Sequence, residues 1–432
     1  MKRTRALTLV GALMLTVAAC GTGGAGTGQT DDSAEKLPPG KKVTGDITFW
    51  HAYSAGSPEV KTLETKVIPA FEKMHPGANV KPVTVQYDKL HQKLVTAAAG
   101  QSLPDVVRSD IVWVPELAEL GVLVPLSDAL PDFRKLAGQT FDGALATNLY
   151  QGKHYGLPLD TNTKVTLYNE KALKEAGVDN PPKTFDDLRA AAPKLAKKNA
   201  FVLAEADTSG WNVLPYIWSN GGEMTDKNIT KTDGYLNGKK SVEAVQLLAD
   251  LYKDKGLPKL VLGGGGATPA ADGLAKGTYA TIVEGPWTVP PLEQQYPKFD
   301  VKTAPFPSGD KGSVNVVGGE NIVVTKASKN KALAAEFSRF MLSPKAQKMM
   351  AGTGQISVLK SLSDEMSDIQ PYYRTYMKQL ETARPRPTTP SWTKVDEILS
   401  KNVQLAIRGD VPVKKALDDA VAQIDPILAR DH

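Results

Sequence analysis

The chain has 432 residues, 41% hydrophobic and 23% charged, and a formal net charge of +5. That length suffices for two lobes with separate cores, and a charge so near balance argues against a polyanion such as nucleic acid as partner. A single cysteine excludes disulfide staples, so an apolar core must hold the fold.

Met1-Lys2-Arg3-Thr4-Arg5 is a short basic run, and Leu7 to Ala19 is apolar but too short to span a bilayer. It closes on small residues and then Cys20. The sequence "VAAC" followed by Gly21 resembles the lipobox of bacterial lipoproteins. That resemblance implies cleavage before Cys20 and acylation there, which anchors the protein to the outer face of the membrane. Residues 1–19 are therefore expected to be a lipoprotein signal peptide. Residues 20–44, rich in Gly, Thr, Asp and Lys, are expected to be a flexible lipid-anchored linker. Lys2, Arg3 and Arg5 leave with the signal, which takes the charge from +5 to +2. Gly21 to Gly26 matches G-x-G-x-x-G but follows no strand and opens no helix, so it belongs to the linker.

From Gly45 strands alternate with helices. "DITFW" (46–50) is a strand, and Ser57 caps a helix with Pro58 in its first turn. Val60, Leu63, Val67, Phe71 and Met74 recur at steps of three and four and form one buried stripe. "NVKPVTV" is a strand, "YDKLHQKLVTAAAG" a helix ending at Gly100, and "PDVVRSD" a strand before a helix near Trp113. Residues 155–169 form a long extended run. Thr184 opens a helix with a capping box closed by Asp187. "AFVLAEAD" is a strand, Val242 to Leu251 a helix, and residues 279–283 and 315–325 are strands. Beyond Lys326 the chain is mostly helical. This alternation predicts α/β lobes with parallel-rich sheets.

In such sheets ligands sit beyond the carboxyl ends of the strands. Those ends carry His51 and Tyr53, Tyr87, Asp110, Trp211, and Glu284 with Trp287. The chain has no H-E-x-x-H, G-x-S-x-G or P-loop, and its five histidines are scattered, so neither zinc nor familiar hydrolytic chemistry is indicated. Asp110, Asp160 and Glu284 can serve a glycosidase, which needs two carboxylates. They can equally hydrogen-bond the hydroxyls of a sugar whose ring faces stack on aromatics. The residues alone leave both open. Trp287 follows a break at Gly285-Pro286, which points it out of the core. An aromatic box with carboxylates also suits a polyamine or a compatible solute, and the Tyr372-Tyr373 pair raises ferric iron as another ligand.

Eight segments then occur in a familiar order: "FEKMHPGANV", "LPDVVRSDIVWVPELAELGVLVPLSD", "GKHYGLPLDTNTKVTLYNEKAL", "PPKTFDDL", "WSNGGEM", "LAKGTYATIVEGPW", "ASKNKALAAEFSRFMLSPKAQKMMAGTG" and "RPRPTTPSWTKVDEILSKNVQLAIRGDVPVKKALDDA". Together they resemble the carbohydrate-binding lipoproteins of bacterial ABC importers, the extracellular solute-binding proteins that include maltose/maltodextrin-binding protein. The resemblance implies a two-lobed α/β fold of the periplasmic-binding-protein type II, with a hinge between lobes. It places residues 45–160 and 303–345 in the N-lobe and 161–302 and 346–432 in the C-lobe. It implies a monomer that catalyses nothing, needs no cofactor or metal, binds a maltose-like or other oligosaccharide, and delivers it to ABC permease subunits. The ligand-binding residues it implies are Trp287 of "GPW", Trp392 and Arg384 of the "RPRPTTPSW" stretch, Asp160 and Asn162 of "LPLDTNT", Asp110 and Trp211. His51, Tyr53, Tyr87, Glu284 and Gly319 complete the candidate set. A secreted glycoside-active enzyme is the alternative of a different class.

Overall fold

The computed structural model describes residues 35–40, 42–263 and 268–431. Cys20, the signal expected at 1–19 and the linker expected at 20–44 up to residue 34 lie outside the described residues; the end of that linker is not free chain, because Leu37 and Val43 are buried in the core and the Leu37 N–H donates to the Ala129 carbonyl at 2.8 Å.

The strands are β1 (Gly45–His51), β2 (Ala78–Thr84), β3 (Val106–Asp110), β4 (Leu149–Tyr150), β5 (Lys153–His154), β6 (Gly156–Asn162), β7 (Val165–Tyr168), β8 (Thr281–Glu284), β9 (Lys302–Ala304) and β10 (Gly318–Val324). One five-stranded sheet runs in the order β2-β1-β3-β10-β6, and a three-stranded sheet runs β8-β7-β9. In the first sheet β1 pairs parallel with both β2 and β3, whereas β10 runs antiparallel to β3 and β6. The second sheet is antiparallel throughout. The parallel-rich expectation therefore holds for one side of the first sheet and fails for the second.

Local chemistry explains most of these elements. In β1, Ile47, Phe49 and His51 alternate inward along the strand. The following helix is capped as expected, with the Ser57 hydroxyl accepting from the Val60 N–H at 3.4 Å. A π-helical turn at Leu63–Val67 interrupts it before Ile68–Met74, and Leu63, Val67, Ile68 and Phe71 all stay buried. Thr184 and Asp187 form both halves of the capping box, at 3.0 Å each.

The segment 201–206, expected as a strand, meets the second sheet only at the isolated bridges Phe201–Tyr279 and Ala204–Ile282. Between the two bridges the chain leaves the sheet, and the Leu203 N–H donates to the Gly256 carbonyl, at 3.3 Å, rather than to β8. The extended run 155–169 is two strands in two sheets. β6 ends in the first, β7 begins the second, and the chain crosses at Thr163 and Lys164. This crossing is tied to a second one, 305–317. The Thr163 hydroxyl donates to the Val316 carbonyl at 2.7 Å, and the Asn315 amide donates to the Lys164 carbonyl at 2.8 Å. One apolar core gathers Phe49, Phe71, Leu157, Ile322 and Phe337 under the first sheet. It runs on to Leu167 and Ile282 of the second. A separate core gathers Phe185, Tyr216, Leu248, Leu399 and Leu417 in the other lobe.

Candidate functional site

Register across the first sheet brings a set of polar side chains to one face beside the crossing. Glu320 stands opposite Asp110 on β3 and opposite Asp160 on β6, and Gly318 stands opposite Asn162. Side chains alternate along a strand, so Asp160 and Asn162 share that face. The missing side chain of Gly318 is essential: a Cβ there would run into both the Asn162 carboxamide oxygen and the Trp211 ring. Trp211 comes from the other lobe, at the start of the helix Gly210–Ser219. Its ring lies 6.3 Å from that of Trp287, with 31° between the planes.

Trp287 lies in the single 3-10 turn Pro286–Thr288 at the end of β8. Gly285 serves it by close approach: its φ of −79° is open to any residue, but a Cβ would strike the Trp287 ring. Both tryptophans are half-buried. Gly319 has a different need, with a φ of +136° and the Asp160 carbonyl where a Cβ would stand.

Three buried cations organise the carboxylates. Arg108 reaches Glu320 at 2.7 Å, Asp160 at 3.2 Å and the Gln355 side-chain oxygen at 3.3 Å, and lies 4.1 Å above the Tyr53 ring. Burial pushes the Glu320 carboxyl well above the usual carboxylate range against the pull of Arg108, and burial raises Glu59 in the same network. Lys164 sits at the crossing, fully buried, 3.3 Å from Glu205 and 2.6 Å from the Asn212 side-chain oxygen. Burial pushes Glu205 up to about 7, and Lys164 opposes that rise. Arg386 donates to Asp110 at 3.2 Å. Asp110 also accepts from the Tyr87 hydroxyl and, at 2.9 Å, from the Val112 N–H.

Besides Glu320 Oε2, which Arg108 reaches only as an ion pair, four polar atoms in this assembly have no hydrogen-bond partner among the described residues: Asp160 Oδ1, Asn162 Oδ1, Arg108 Nε and Arg386 Nε. Unmatched buried groups cost about 1–3 kcal/mol each. Two acceptors and two N–H donors therefore stand ready for a partner that both donates and accepts.

Trp211, Trp287, Asp110, Asp160, Asn162, Glu284 and Gly319 converge here. The half-buried Glu284 takes the Gly285 N–H at 3.3 Å, and burial raises its carboxyl while Lys164 lowers it. Tyr87 stands at the rim, half exposed, with its ring 5.3 Å from Trp113. Four candidates are placed elsewhere. Tyr53 is buried beneath Arg108 and holds that guanidinium instead of offering a face. Trp392 is 2% exposed, packed on Gly210 in the core of the second lobe, because it opens the inward stripe of the helix Trp392–Arg408. Arg384 turns away from the site to pair with Glu223 through two bonds of 3.0 and 2.7 Å, stacked 4.9 Å from Trp218. His51 is wholly buried between Phe49 and Tyr53, at 5.5 and 5.2 Å.

That last placement has a measurable consequence. Burial first, and Arg108 second, lower the His51 pKa from its usual 6.5 to about 4. The fold holds the neutral ring, so its contribution is fully present above 6.5 and is lost as pH falls from there through about 4. Neither ring nitrogen has a hydrogen-bond partner among the described residues. His51→Phe is expected to flatten the stability loss across that window and to raise stability slightly at pH 7, as measured by urea unfolding at pH 7 and pH 5.

Arg108, Lys164, Glu205, Glu320 and Arg386 were absent from the candidate set. Arg386 had a visible signal, since it repeats the Arg-Pro pair of Arg384 two residues on. A cavity of about 630 Å³ lies apart from all of these residues, between 169–171 and 295–302. It mixes Lys171, Lys298 and Lys302 with Glu170 and Asp300, and no candidate residue lines it.

A profile of the bacterial extracellular solute-binding proteins matches residues 55–348. The chain belongs to this family. Among curated members, this solute-binding protein is 25% identical over 434 residues to the galactooligosaccharide-binding protein of Bacillus subtilis, covering 97% of this chain and 96% of that one. It is 25% identical over 355 residues to the diacetylchitobiose-binding protein DasA of Streptomyces coelicolor, covering 78% and 77%. The fold of the solute-binding protein superposes on the GacH receptor of Streptomyces glaucescens with a TM-score of 0.80 at 24% identity, over 90% of this chain and 100% of that one. It superposes on the maltotriose-binding protein of Thermus thermophilus with a TM-score of 0.75 at 26% identity, over 88% and 100%. The architecture is the two-lobed type II solute-binding fold.

Proposed function

We propose that this protein is the substrate-binding subunit of an ABC importer and captures an oligosaccharide between its lobes without chemical change. The observation that carries this is the half-buried Trp211–Trp287 pair beside the unpartnered oxygens of Asp160 and Asn162. A sugar ring presents C–H patches that lie on an aromatic face and a rim of hydroxyls that donate and accept together. The pair supplies the faces, and the unmatched oxygens and guanidinium N–H groups supply the rim partners. The names of the curated relatives agree with that ligand class.

In this reading the first sheet belongs to one lobe and the second sheet to the other, so the boundaries expected at 160/161 and 302/303 move to the crossings at Thr163–Lys164 and 305–317, where the hinge lies. Cys20 carries the lipid that keeps the monomer at the outer membrane face, where permease subunits receive the sugar. A thermal-shift screen over diacetylchitobiose, galactooligosaccharides, arabinooligosaccharides and maltotriose tests it. A ligand at 100 times its dissociation constant stabilises by about 2.7 kcal/mol, and the sugar should be recovered intact by chromatography. No shift with any oligosaccharide, or release of new reducing ends, would contradict the proposal.

A further inference from the structure

We propose that Lys164 is a positioning residue: it ties the crossings between the lobes to the helix Gly210–Ser219 and so fixes where the Trp211 ring stands. This rests on the Trp211–Trp287 pair being the sugar-binding surface.

The half-buried Trp211 ring is held through its neighbours in the chain. On one side the Gly210 N–H donates to Asp396 at 2.5 Å. On the other the Asn212 amide is engaged at both ends. Its nitrogen donates to Asp207 at 2.6 Å, and its oxygen accepts from the Lys164 ammonium at 2.6 Å. An amide bonded at both ends cannot turn over without breaking both bonds. The ammonium itself lies 5.8 Å from the Trp211 ring centroid. The outer edge of the ring meets Gly318 of β10, where a Cβ would stand 2.6 Å from it.

Lys164 stands between β6 and β7, and its backbone belongs to both crossings: its carbonyl accepts from the Asn315 amide of the second one at 2.8 Å. Its side chain reaches Glu205 at 3.3 Å as well as Asn212. Glu205 in turn accepts from the Tyr216 hydroxyl at 2.6 Å, and Tyr216 lies on the same helix as Trp211. One lysine therefore joins the crossings to that helix at two points, Asn212 directly and Tyr216 through Glu205.

Stability alone does not call for a lysine here. Lys164 is fully buried, and a buried ion pair gains little over its desolvation cost, so an apolar side chain of similar volume would serve the fold as well. The ammonium supplies direction instead, because a fully matched buried polar network specifies one arrangement of the groups around it. The setting of the crossings is thereby passed to Asn212 and to the ring beside it.

The test compares the double variant Lys164→Met with Glu205→Gln against Glu205→Gln alone. Glutamine still accepts from Tyr216 and leaves no carboxylate buried without its cation, so the comparison reads the bond from Lys164 to Asn212. Asn212→Ala removes the same bond from the helix side, and urea unfolding confirms that each variant folds cooperatively. Near-ultraviolet circular dichroism of the protein dialysed free of sugar reports rings held in a fixed setting. The double variant and Asn212→Ala should lose the part of the tryptophan bands that Trp211→Phe also loses. Bands that superimpose on those of Glu205→Gln would overturn the proposal. Calorimetric titration with the sugar that gives the largest thermal shift should show the double variant weakened about tenfold, with no further weakening when the same change is made in the Trp211→Ala protein. An equal loss in both backgrounds would also overturn it, because Lys164 would then act on the fold at large and not through Trp211. The spectra need no sugar, so their result is independent of the thermal-shift screen.

Discussion

Trp287→Ala is expected to weaken oligosaccharide binding by about 30-fold or more while the protein still unfolds cooperatively. Buried aromatic anchors in binding sites contribute about 2 kcal/mol or more on truncation, which is about 30-fold in the dissociation constant. Trp287 fits that role because its ring is already placed: the 3-10 turn fixes its backbone, and Gly285 clears the space beneath it. Little ordering remains to be done when the ligand arrives. The ring is half-buried and belongs to neither apolar core, so its loss should tell on affinity far more than on stability. Trp287→Tyr keeps a flat ring and should retain most of the affinity. Calorimetric titration with the sugar that gives the largest thermal shift checks both variants. An alanine variant with wild-type affinity would remove Trp287 from the site.

Arg108→Leu should lower stability by about 3–5 kcal/mol near neutral pH, the range for removing one partner of a buried ion pair. Arg108 is the cation that faces Asp160 and Glu320 directly, and Gln355 relays it to Glu59. Without it these carboxylates remain buried with no counter-charge, and Glu320 and Glu59, which burial already holds above the usual carboxylate range, are pushed further up. A raised carboxyl pKa contributes stability that is present below the unfolded value and lost as pH rises through the folded one. The deficit of Arg108→Leu relative to wild type should therefore be largest at pH 7 to 8 and shrink as pH falls towards about 4. Urea unfolding at three pH values measures this. A deficit that does not change with pH would mean that lost packing on Tyr53, not charge, is responsible.

The elements that were legible in the sequence are those whose cause is local. Ser57 before Pro58, the Thr184–Asp187 capping box and the inward alternation of β1 each depend on neighbours a few residues away, and each stands as expected. The second sheet was not legible in the same way. Its antiparallel pairing is decided by chain segments more than a hundred residues apart, such as β7 with β8. The segment 201–206 leaves the sheet between its two bridges, where the Leu203 N–H donates to Gly256.

The site divides along the same line. Trp287 and Trp211 were candidates because they follow strand ends, and Asp160 and Asn162 because the stretch "LPLDTNT" resembles a ligand-side segment of the family; the structure places all four beside the crossing. Trp392 and His51 occupy equally suggestive positions, but Gly210 makes room for one ring and the Phe49–Tyr53 pair encloses the other. Arg384 and Arg386 are indistinguishable by composition. The bridge between Val316 and Arg384 fixes the first on the lobe's own body and sends the second across the cleft.

The central claim is that a saccharide lies between the two lobes against Trp211 and Trp287. A crystal structure of the protein with the oligosaccharide that gives the largest thermal shift tests it most directly. The account predicts a sugar ring stacked on Trp287 or Trp211 and hydroxyls within hydrogen-bond distance of Asp160 or Asn162. A sugar bound instead in the cavity between 169–171 and 295–302, with the tryptophan pair untouched, would contradict it.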